Sequence, residues 1–350
     1  MVELSRRTLL AGGAVALGSI AAGAAALSPR PTRATAEVEA AAPTPVPVVR
    51  FGAPQPVATL LPRTSNAIMQ QVELTTSGEL FMTQSLSGSG PALYSTVVSR
   101  YAASPTAPAG TVELDAMTVL DGGHGLGLHV EPRGDGGHDV WTSLQGPVPQ
   151  SDPNGGRLAR FAYTPGVFAI DAIPGGVTWL PQFTNLYGEL QEAIYGFDWG
   201  AGVAVERMYD FHTGTDERYT RRRISDVVAG VDRPLGRMTV PVNPPTMQGF
   251  ATVGSSFFRW VGVGNDGSGA VVPTDPMAME QFAWTTGDRA AFTPFPTLGQ
   301  DAAGGWRDGT YEPEGCSVLR APDGSVSLVV GVSVGGAGDH APLVYRLPVL

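Results

Sequence analysis

Short apolar runs alternate with tight polar turns along the body of the chain. Turns rich in Gly, Asp, Asn or Ser lie at 75–78, 134–137, 265–267 and 322–324. The last of them is followed by a long apolar run, Val326 to Val332. Runs of this kind between such turns are typical of antiparallel strands, whereas no long stretch shows the spacing of an amphipathic helix. The pattern predicts an all-β fold.

A four-residue unit recurs ahead of five of these runs. It reads apolar or small, then Gln, Glu or His, then Gly, Gln or Glu, then apolar or small. Its copies are Met69-Gln70-Gln71-Val72, Gly123-His124-Gly125-Leu126, Leu190-Gln191-Glu192-Ala193, Met247-Gln248-Gly249-Phe250 and Pro313-Glu314-Gly315-Cys316. Their second residues are 54 to 67 positions apart, which is long enough for the four strands of one propeller blade.

Five such units predict a five-bladed β-propeller with a central channel. Only 36 residues follow Glu314, so the fifth blade needs its last strand from the segment before Met69. The second residues would form a ring at one mouth of the channel: Gln70, His124, Gln191, Gln248 and Glu314. Gly125, Gly249 and Gly315 beside them suit a close approach of neighbouring backbones. The alternative fold is a pair of β-sandwiches whose turns happen to recur.

Composition and charge exclude several classes of protein. The 46 Gly and 30 Pro among 350 residues disfavour a helical protein, and 43% hydrophobic residues disfavour a disordered one. The net charge of −10 disfavours nucleic acid and anionic membranes as partners. Cys316 is the single cysteine, which excludes an intrachain disulfide and a cysteine-based zinc site. The aspartates in Gly-rich turns do not match a calcium loop, so we predict no metal and no cofactor.

The N-terminus has the pattern of an export signal. Arg6-Arg7 precedes a mildly hydrophobic stretch rich in Ala and Gly, and Ala34-Thr35-Ala36 fits a cleavage site. Paired arginines in this position are typical of twin-arginine signals, and the alternative is a single membrane anchor. We predict a signal over residues 1–36, a Pro- and Ala-rich linker over 37–57 and the propeller over 58–350. The protein would then be secreted through the twin-arginine route and soluble after cleavage.

Several of these segments resemble a known family. The segments are 117–141, which contains Gly122-Gly123-His124-Gly125, 158–163 with Arg160-Phe161-Ala162-Tyr163, and 247–260 with Met247-Gln248-Gly249-Phe250-Ala251. They resemble the β-propeller shared by teichoic acid biosynthesis protein C and certain staphylococcal phage receptor-binding proteins, over roughly residues 60 to 348. The resemblance implies a five-bladed propeller that faces cell-wall or surface glycopolymers. The export signal favours a separate exported protein over a component of a virion tail.

His124 and Glu314 are the first candidates for catalysis, because both fall on the predicted ring. An imidazole with an ordinary pKa near ~6.5 exchanges protons at neutral pH; the alternative is a hydrogen-bonded histidine that fixes adjacent blades. Glu314 could pair with Glu192, or with Asp198 and Glu206, as the acid and base of a glycoside hydrolase. Its alternative is a salt bridge or a turn contact.

A polysaccharide lyase would need other residues. Arg160, Gln248 and Gln70 could bind a uronate carboxylate, with His124 as the base and Tyr163 as the acid. Tyr163 lies three positions after Arg160, so strand alternation turns the two to opposite faces, which counts against a joint role. His129 lies five residues after His124, and the same alternation predicts packing between blades for it.

Tryptophans and one arginine run are candidates for binding. Trp141, Trp199 and Trp260 could stack on sugar rings, with Gln191 among the polar residues beside them, although core packing is the alternative. Gly-rich neighbours favour exposure of Trp199 and Trp260. Arg221-Arg222-Arg223 could dock phosphate or another polyanion, and a solvated strand edge with local ion pairs is the alternative.

These observations predict an exported propeller that recognises a cell-wall or extracellular polysaccharide, either teichoic-acid-like or uronate-containing. The alternative is a polysaccharide lyase or glycoside hydrolase that uses His124 and Glu314 at the channel mouth, and a third class is a structural module of the envelope. The expected partner is a glycan or cell-wall polymer and not nucleic acid or membrane, and the expected state is a monomer.

Overall fold

The computed structural model describes residues 46–62, 67–87, 94–102, 110–145, 156–183, 193–209, 216–241, 247–262, 277–299, 310–335 and 341–350. Strands make up most of the regular structure in these residues, and the α-helix among them, α1 (Ile224–Ala229), has six residues. The predicted all-β class is therefore confirmed. The predicted signal over 1–36 and Gln191 lie outside the described residues. Within the described part, no helix has the length and apolar character needed to cross a membrane.

The strands form five blades in chain order. The chain begins with β1 (Gln55–Leu61), and blade 1 follows with β2 (Ile68–Leu74), β3 (Glu79–Ser87), β4 (Tyr94–Ala102) and β5 (Thr111–Leu120). Blade 2 contains β6 (Leu128–Pro132), β7 (His138–Leu144), β8 (Arg157–Ala162) and, after β9 (Gly166–Ala169), β10 (Thr178–Trp179). Blade 3 contains β11 (Ile194–Asp198), β12 (Val203–Tyr209), β13 (Asp216–Arg223) and β14 (Gly236–Pro241). Blade 4 contains β15 (Met247–Val253), β16 (Ser256–Val261), β17 (Ala278–Ala283) and β18 (Arg289–Pro294), and blade 5 contains β19 (Thr310–Arg320), β20 (Val326–Gly335) and β21 (Ala341–Pro348).

Five apolar clusters form the core, one between each pair of neighbouring blades. Between blades 1 and 2, for example, Phe81 and Met117 pack with Leu128 and Val140. Strand side chains alternate between the two faces of a sheet, so each blade has an apolar face toward both neighbours. A closed cycle of five interfaces confirms the five-bladed propeller, whereas two β-sandwiches would have two separate cores.

Blade 5 takes its outermost strand from the beginning of the chain, as the sequence predicts. β1 pairs antiparallel with β21, with Ala58 opposite Val344. The sheet begins at Gln55, within the predicted linker, and the segment before it packs on blade 4. There the Val49 N–H donates to Gln281 Oε1 over 2.8 Å.

The outermost strands of blades 5 and 1 also pair with each other. β1 and β5 run parallel, and Leu60 lies opposite Thr111. β9 adds a second parallel partner to β5, with Met117 opposite Gly166. The sheets of blades 1 and 5 therefore join into one nine-stranded sheet at the rim, which reinforces the closure of the ring.

Glycines bring the inner strands β6, β11, β15 and β19 close to the next blade around the channel. A Cβ on Gly249 would lie 2.6 Å from the backbone of blade 5, and one on Gly315 would lie 2.7 Å from the backbone of blade 1. One on Gly127 would lie 3.1 Å from a backbone nitrogen of blade 3, and one on Gly196 would lie 3.0 Å from an aromatic ring of blade 4. Larger residues would force these blades apart.

The residues that contact the next blade around the channel, here called the glycine level, show that the predicted four-residue unit is misplaced in blades 2 and 3. Gln71, Gly249 and Gly315 are the third residues of their units, and Gly315 contacts Gln71 in blade 1. At the same level blades 2 and 3 present Gly127 and Gly196. The unit therefore starts two residues later than predicted in blade 2 and four residues later in blade 3. The error arose because both segments contain several glycines or polar residues that fit the same four-residue pattern.

Candidate functional site

Three of the predicted ring residues share one level of the channel. Gln70, Gln248 and Glu314 each come one residue before the glycine level. Gln248 Nε2 donates to the Glu312 carboxylate and so links blades 4 and 5. Glu314 is only 5% exposed, which does not fit the predicted role of a solvent-open acid or base.

His124 lies outside that level. It comes three residues before Gly127, and its ring lies 4.0 Å from the ring of Tyr94 in blade 1 at a tilt of 40°. The prediction that His124 shares one ring with Glu314 is therefore wrong, because the unit in blade 2 starts later than the sequence pattern suggested.

Arg160 and Tyr163 point to different partners, as strand alternation predicts. Arg160 Nη2 lies 2.7 Å from Asp139 and 3.0 Å from Glu131 within blade 2. The Tyr163 hydroxyl donates to Asp115 Oδ1 of blade 1 over 2.7 Å. Burial raises the pKa of Tyr163, and its hydrogen bond with Asp115 raises it further. Tyr163 therefore stays protonated at neutral pH and joins two blades, so a joint lyase site with Arg160 is not formed.

The tryptophans differ in exposure. Trp260 is fully buried and its Nε1 donates to the Gly331 carbonyl over 3.0 Å, so its predicted exposure is wrong; its ring packs in the apolar cluster between blades 4 and 5. Trp141 is 2% exposed and its Nε1 donates to Glu131. Trp199 is half-buried, which makes it the most exposed of the three.

A polar cluster that the sequence did not reveal lies two residues beyond the glycine level. Glu73 Oε1 is 2.8 Å from His129 Nδ1, and the His129 ring stacks on Trp199 with centroids 4.3 Å apart and planes at 17°. Glu73, His129 and Trp199 together join blades 1, 2 and 3, which fits the packing role predicted for His129. A carboxylate-oriented imidazole can exchange protons, but the Glu73 and His129 side chains are only 10% and 8% exposed.

A bidentate ion pair crosses the same end of the channel. Arg320 Nε and Nη2 each donate to Asp198 over 2.6 Å, and this hydrogen bonding raises the pKa of Arg320. Arg320 belongs to blade 5 and Asp198 to blade 3, so the pair joins blades that are not neighbours. Two residues beyond Gly196, Asp198 occupies the position that Glu73 and His129 hold in their blades; this repeated offset was the available sequence signal.

A groove at the outer edge of blade 3 has a volume of about 670 Å³, within the usual range for ligand sites of ~300–1,000 Å³. Register places its main residues on one face, because Thr220 lies opposite Arg237 and Arg218 lies opposite Thr239. The turn 285–288 of blade 4 forms its other side. Guanidinium, hydroxyl and carboxylate groups line the groove: Arg218, Arg222, Arg237, Thr220, Thr239, Thr285, Thr286, Asp232 and Asp288.

Arg222 is the fixed centre of this groove. Its side chain is 2% exposed, lies 3.9 Å over the Phe183 ring and donates from Nη1 to Glu206. On the groove side its Nη2 donates to Asp232 Oδ1 over 2.9 Å. Burial raises the pKa of Glu206, and Arg222 opposes that effect. Glu206 and Phe183 therefore hold the guanidinium in place on its buried side, and its Nη2 edge faces the groove.

The predicted arginine run does not form a single patch. Strand alternation turns Arg222 into the groove, whereas Arg223 is exposed and lies 4.0 Å from Asp226. Strand alternation turns Arg221 to the opposite face of β13 from Arg222; burial lowers the pKa of Arg221, and the nearby charge of Asp198 opposes this. Arg218 and Arg237, which the sequence reading passed over, are the arginines that share the groove with Arg222.

In the described part of the chain, no group of three or more His, Cys, Asp or Glu side chains is arranged to hold a metal ion. Cys316 is buried, and burial raises the pKa of its thiol. The groove is thus one place where the described residues bring charged and polar groups together at an accessible surface.

A family model described as the phage 5-bladed beta propeller receptor binding platform domain matches residues 68–346. The chain belongs to this family. The match spans the five blades from β2 to β21 and confirms the phage part of the predicted resemblance; the likeness to teichoic acid biosynthesis protein C stays a prediction. A search of curated proteins finds no match.

Solved structures with the same fold include the tail fiber of Staphylococcus aureus phage P68. It is 22% identical, with a TM-score of 0.65, over 85% of this chain and 53% of the fiber. The chain therefore corresponds to about half of that protein. An α-L-arabinofuranosidase from Lactobacillus brevis is 12% identical with a TM-score of 0.40, over 81% of this chain and 92% of the enzyme.

Proposed function

We propose that this propeller binds a cell-surface or cell-wall glycopolymer in the groove of blade 3. Membership of a receptor-binding platform family supports a binding function, and the groove is the observation that carries the site. It combines a buried, fixed guanidinium and more exposed ones with threonine hydroxyls, which suit the charged and hydroxyl groups of such polymers. Export by the predicted signal over 1–36 is part of this proposal, because it would bring the groove to the cell surface.

The shape of the groove favours a chain over a compact ligand. It runs along β13 and β14 at the rim, where Arg237 and Thr239 are exposed on the outermost strand. Side chains spaced along a strand can contact successive units of a polymer, whereas the channel residues Glu73, His129 and Asp198 are buried. Recognition at the rim therefore needs no opening of the channel.

The test is binding to bacterial cell-wall fragments by co-sedimentation. Fragments with intact glycopolymers are compared with fragments stripped of them by acid. We expect binding only to the intact fragments, and a loss of at least about tenfold in affinity for the double variant Arg237→Ala, Thr239→Ala, since charged hydrogen bonds contribute ~1.5–3 kcal/mol each.

Arg346→Ala is the matched control, because Arg346 is an arginine on blade 5 whose partner Gln55 is exposed and neutral. Equal binding by the groove variant and the wild type would refute the site. Assays for new reducing ends and for unsaturated uronates in the same mixtures separate binding from the enzymatic alternative; release of either product would favour the enzyme.

A further inference from the structure

The groove contains a carboxylate, that of Asp232, which already forms ion pairs with two of the groove's arginines. Asp232 lies in the loop between α1 and β14, and its Oδ1 accepts from Arg222 Nη2 over 2.9 Å and from Arg222 Nε over 3.2 Å. Its Oδ2 lies 3.3 Å from Arg237 Nη2. One carboxylate thus bridges a buried guanidinium and an exposed one.

The two arginines are held very differently. Arg222 is 2% exposed and remains paired with Glu206 whatever Asp232 does, whereas Asp232 and Arg237 are 50% and 58% exposed. An ion pair exposed on both sides, such as Asp232 with Arg237, contributes little to stability, whereas the contact of Asp232 with Arg222 satisfies a buried guanidinium. Asp232 is half-exposed, so its carboxylate would be hydrated on leaving, and an incoming anion that takes over its contacts would keep Arg222 paired on the groove side.

We propose that Asp232 is an internal substitute for the ligand's anion, holding the place between Arg222 and Arg237 that a phosphate or carboxylate group of the polymer takes. The inference rests on the proposed function and specifies its ligand as an anionic polymer. A planar or tetrahedral oxyanion makes the same paired contacts with guanidinium groups that Asp232 makes. Asp232 thus sets the threshold for binding, because neutral polymers cannot replace its charge.

The test compares Asp232→Asn with Asp288→Asn. Both changes remove one negative charge from the groove lining, but only Asp232 contacts Arg222 and Arg237, whereas the backbone N–H of Asp288 bonds to Thr286 Oγ1. Affinities are measured by calorimetry for poly(glycerol phosphate), polygalacturonate and neutral dextran, and unfolding midpoints verify that each variant is folded.

We expect Asp232→Asn to bind at least one polyanion about two- to fivefold more tightly than the wild type, the gain that corresponds to an exposed ion pair. Asp288→Asn should change affinity less, and dextran binding should not respond. The two polyanion arms tell whether the recognised group is a phosphate or a carboxylate.

Equal gains for both variants would show a general effect of net charge and overturn the inference. Weaker binding by Asp232→Asn would also overturn it, since Asp232 would then contact or order the ligand, as would a lack of binding to both polyanions. If the double variant Arg237→Ala, Thr239→Ala binds more weakly while Asp232→Asn has the affinity of the wild type, the proposed function stands and this inference fails. If the double variant binds normally, the groove itself is refuted.

Discussion

Single glycines fix the spacing of the blades. Gly315 has a left-handed backbone with φ +67°, and a Cβ there would lie 2.7 Å from Gln71 Cα. Gly202 has nearly the same φ, +66°, but a Cβ there would meet nothing within 4 Å. Both positions therefore require a left-handed backbone, but only Gly315 lies against a neighbouring blade.

Gly315→Ala should therefore destabilise the protein more than Gly202→Ala. Each alanine accepts a left-handed backbone at a cost of roughly 1–2 kcal/mol, and only the first also forces blades 5 and 1 apart, which adds roughly 1–3 kcal/mol. Chemical denaturation of both variants measures the difference. Equal losses would mean that the inner strands shift freely at this level.

At the scale of elements, a buried ion network joins blades 3 and 4. Glu217 is 3% exposed, accepts from Arg207 Nη2 over 2.6 Å and from the Tyr219 hydroxyl, and lies 3.9 Å from Arg259 Nη2. Burial raises the pKa of Glu217, but Arg207 and Arg259 outweigh this effect and hold it below its ordinary value of 4.5. The network therefore needs the ionised form.

This predicts a specific loss of stability in acid. Because the folded pKa lies below the unfolded value, the contribution of Glu217 is complete above about pH 4.5 and disappears as the pH falls through the folded pKa. One such group changes the free energy of unfolding by at most ~1.4 kcal/mol per pH unit. Glu217→Gln should lower stability at pH 7 and flatten the curve below pH 4.5.

Denaturant titrations between pH 3 and 7 measure these curves. Asp171→Asn is the control, because Asp171 is an exposed carboxylate in a short 3-10 helix. An unchanged slope in Glu217→Gln would assign the acid sensitivity to other carboxylates.

The same elements show what the sequence could predict. Turn chemistry and the repeat gave the blades and the transfer of β1 to blade 5, because these depend on local residue types and on counting. The register of blades 2 and 3 depended on which of several glycines meets the next blade, and Gly125 and Gly127 are equally good in sequence. The burial of Trp260 and the pairing of Arg222 with Asp232 depend on strand register across a blade, which a local pattern does not contain.

At the scale of the whole molecule, β1 holds the ring closed. It pairs with β21 on one side and with β5 on the other, and Leu60 within it is fully buried. A chain that begins at residue 62 would expose the apolar faces of β21 and β5, whereas one that begins at residue 46 keeps β1.

We expect the unfolding midpoint of the chain beginning at residue 62 to lie at least about 10 °C below that of the chain beginning at residue 46, given ~2–4 °C for each kcal/mol lost and the loss of one buried strand. Differential scanning calorimetry provides the comparison. Midpoints within two or three degrees of each other would contradict the role of β1 in closure.

The pairing of β1 with β21 also sets the order of events during synthesis. Thr59 lies opposite Leu343, so the ribosome makes β1 first and its antiparallel partner nearly last. At a synthesis rate of roughly 5–20 residues per second, β1 waits for tens of seconds with an unsatisfied edge. An unpaired apolar strand in a nascent chain is a site for aggregation, and a chaperone that shields the first sixty or so residues would protect this protein until the last blade is complete.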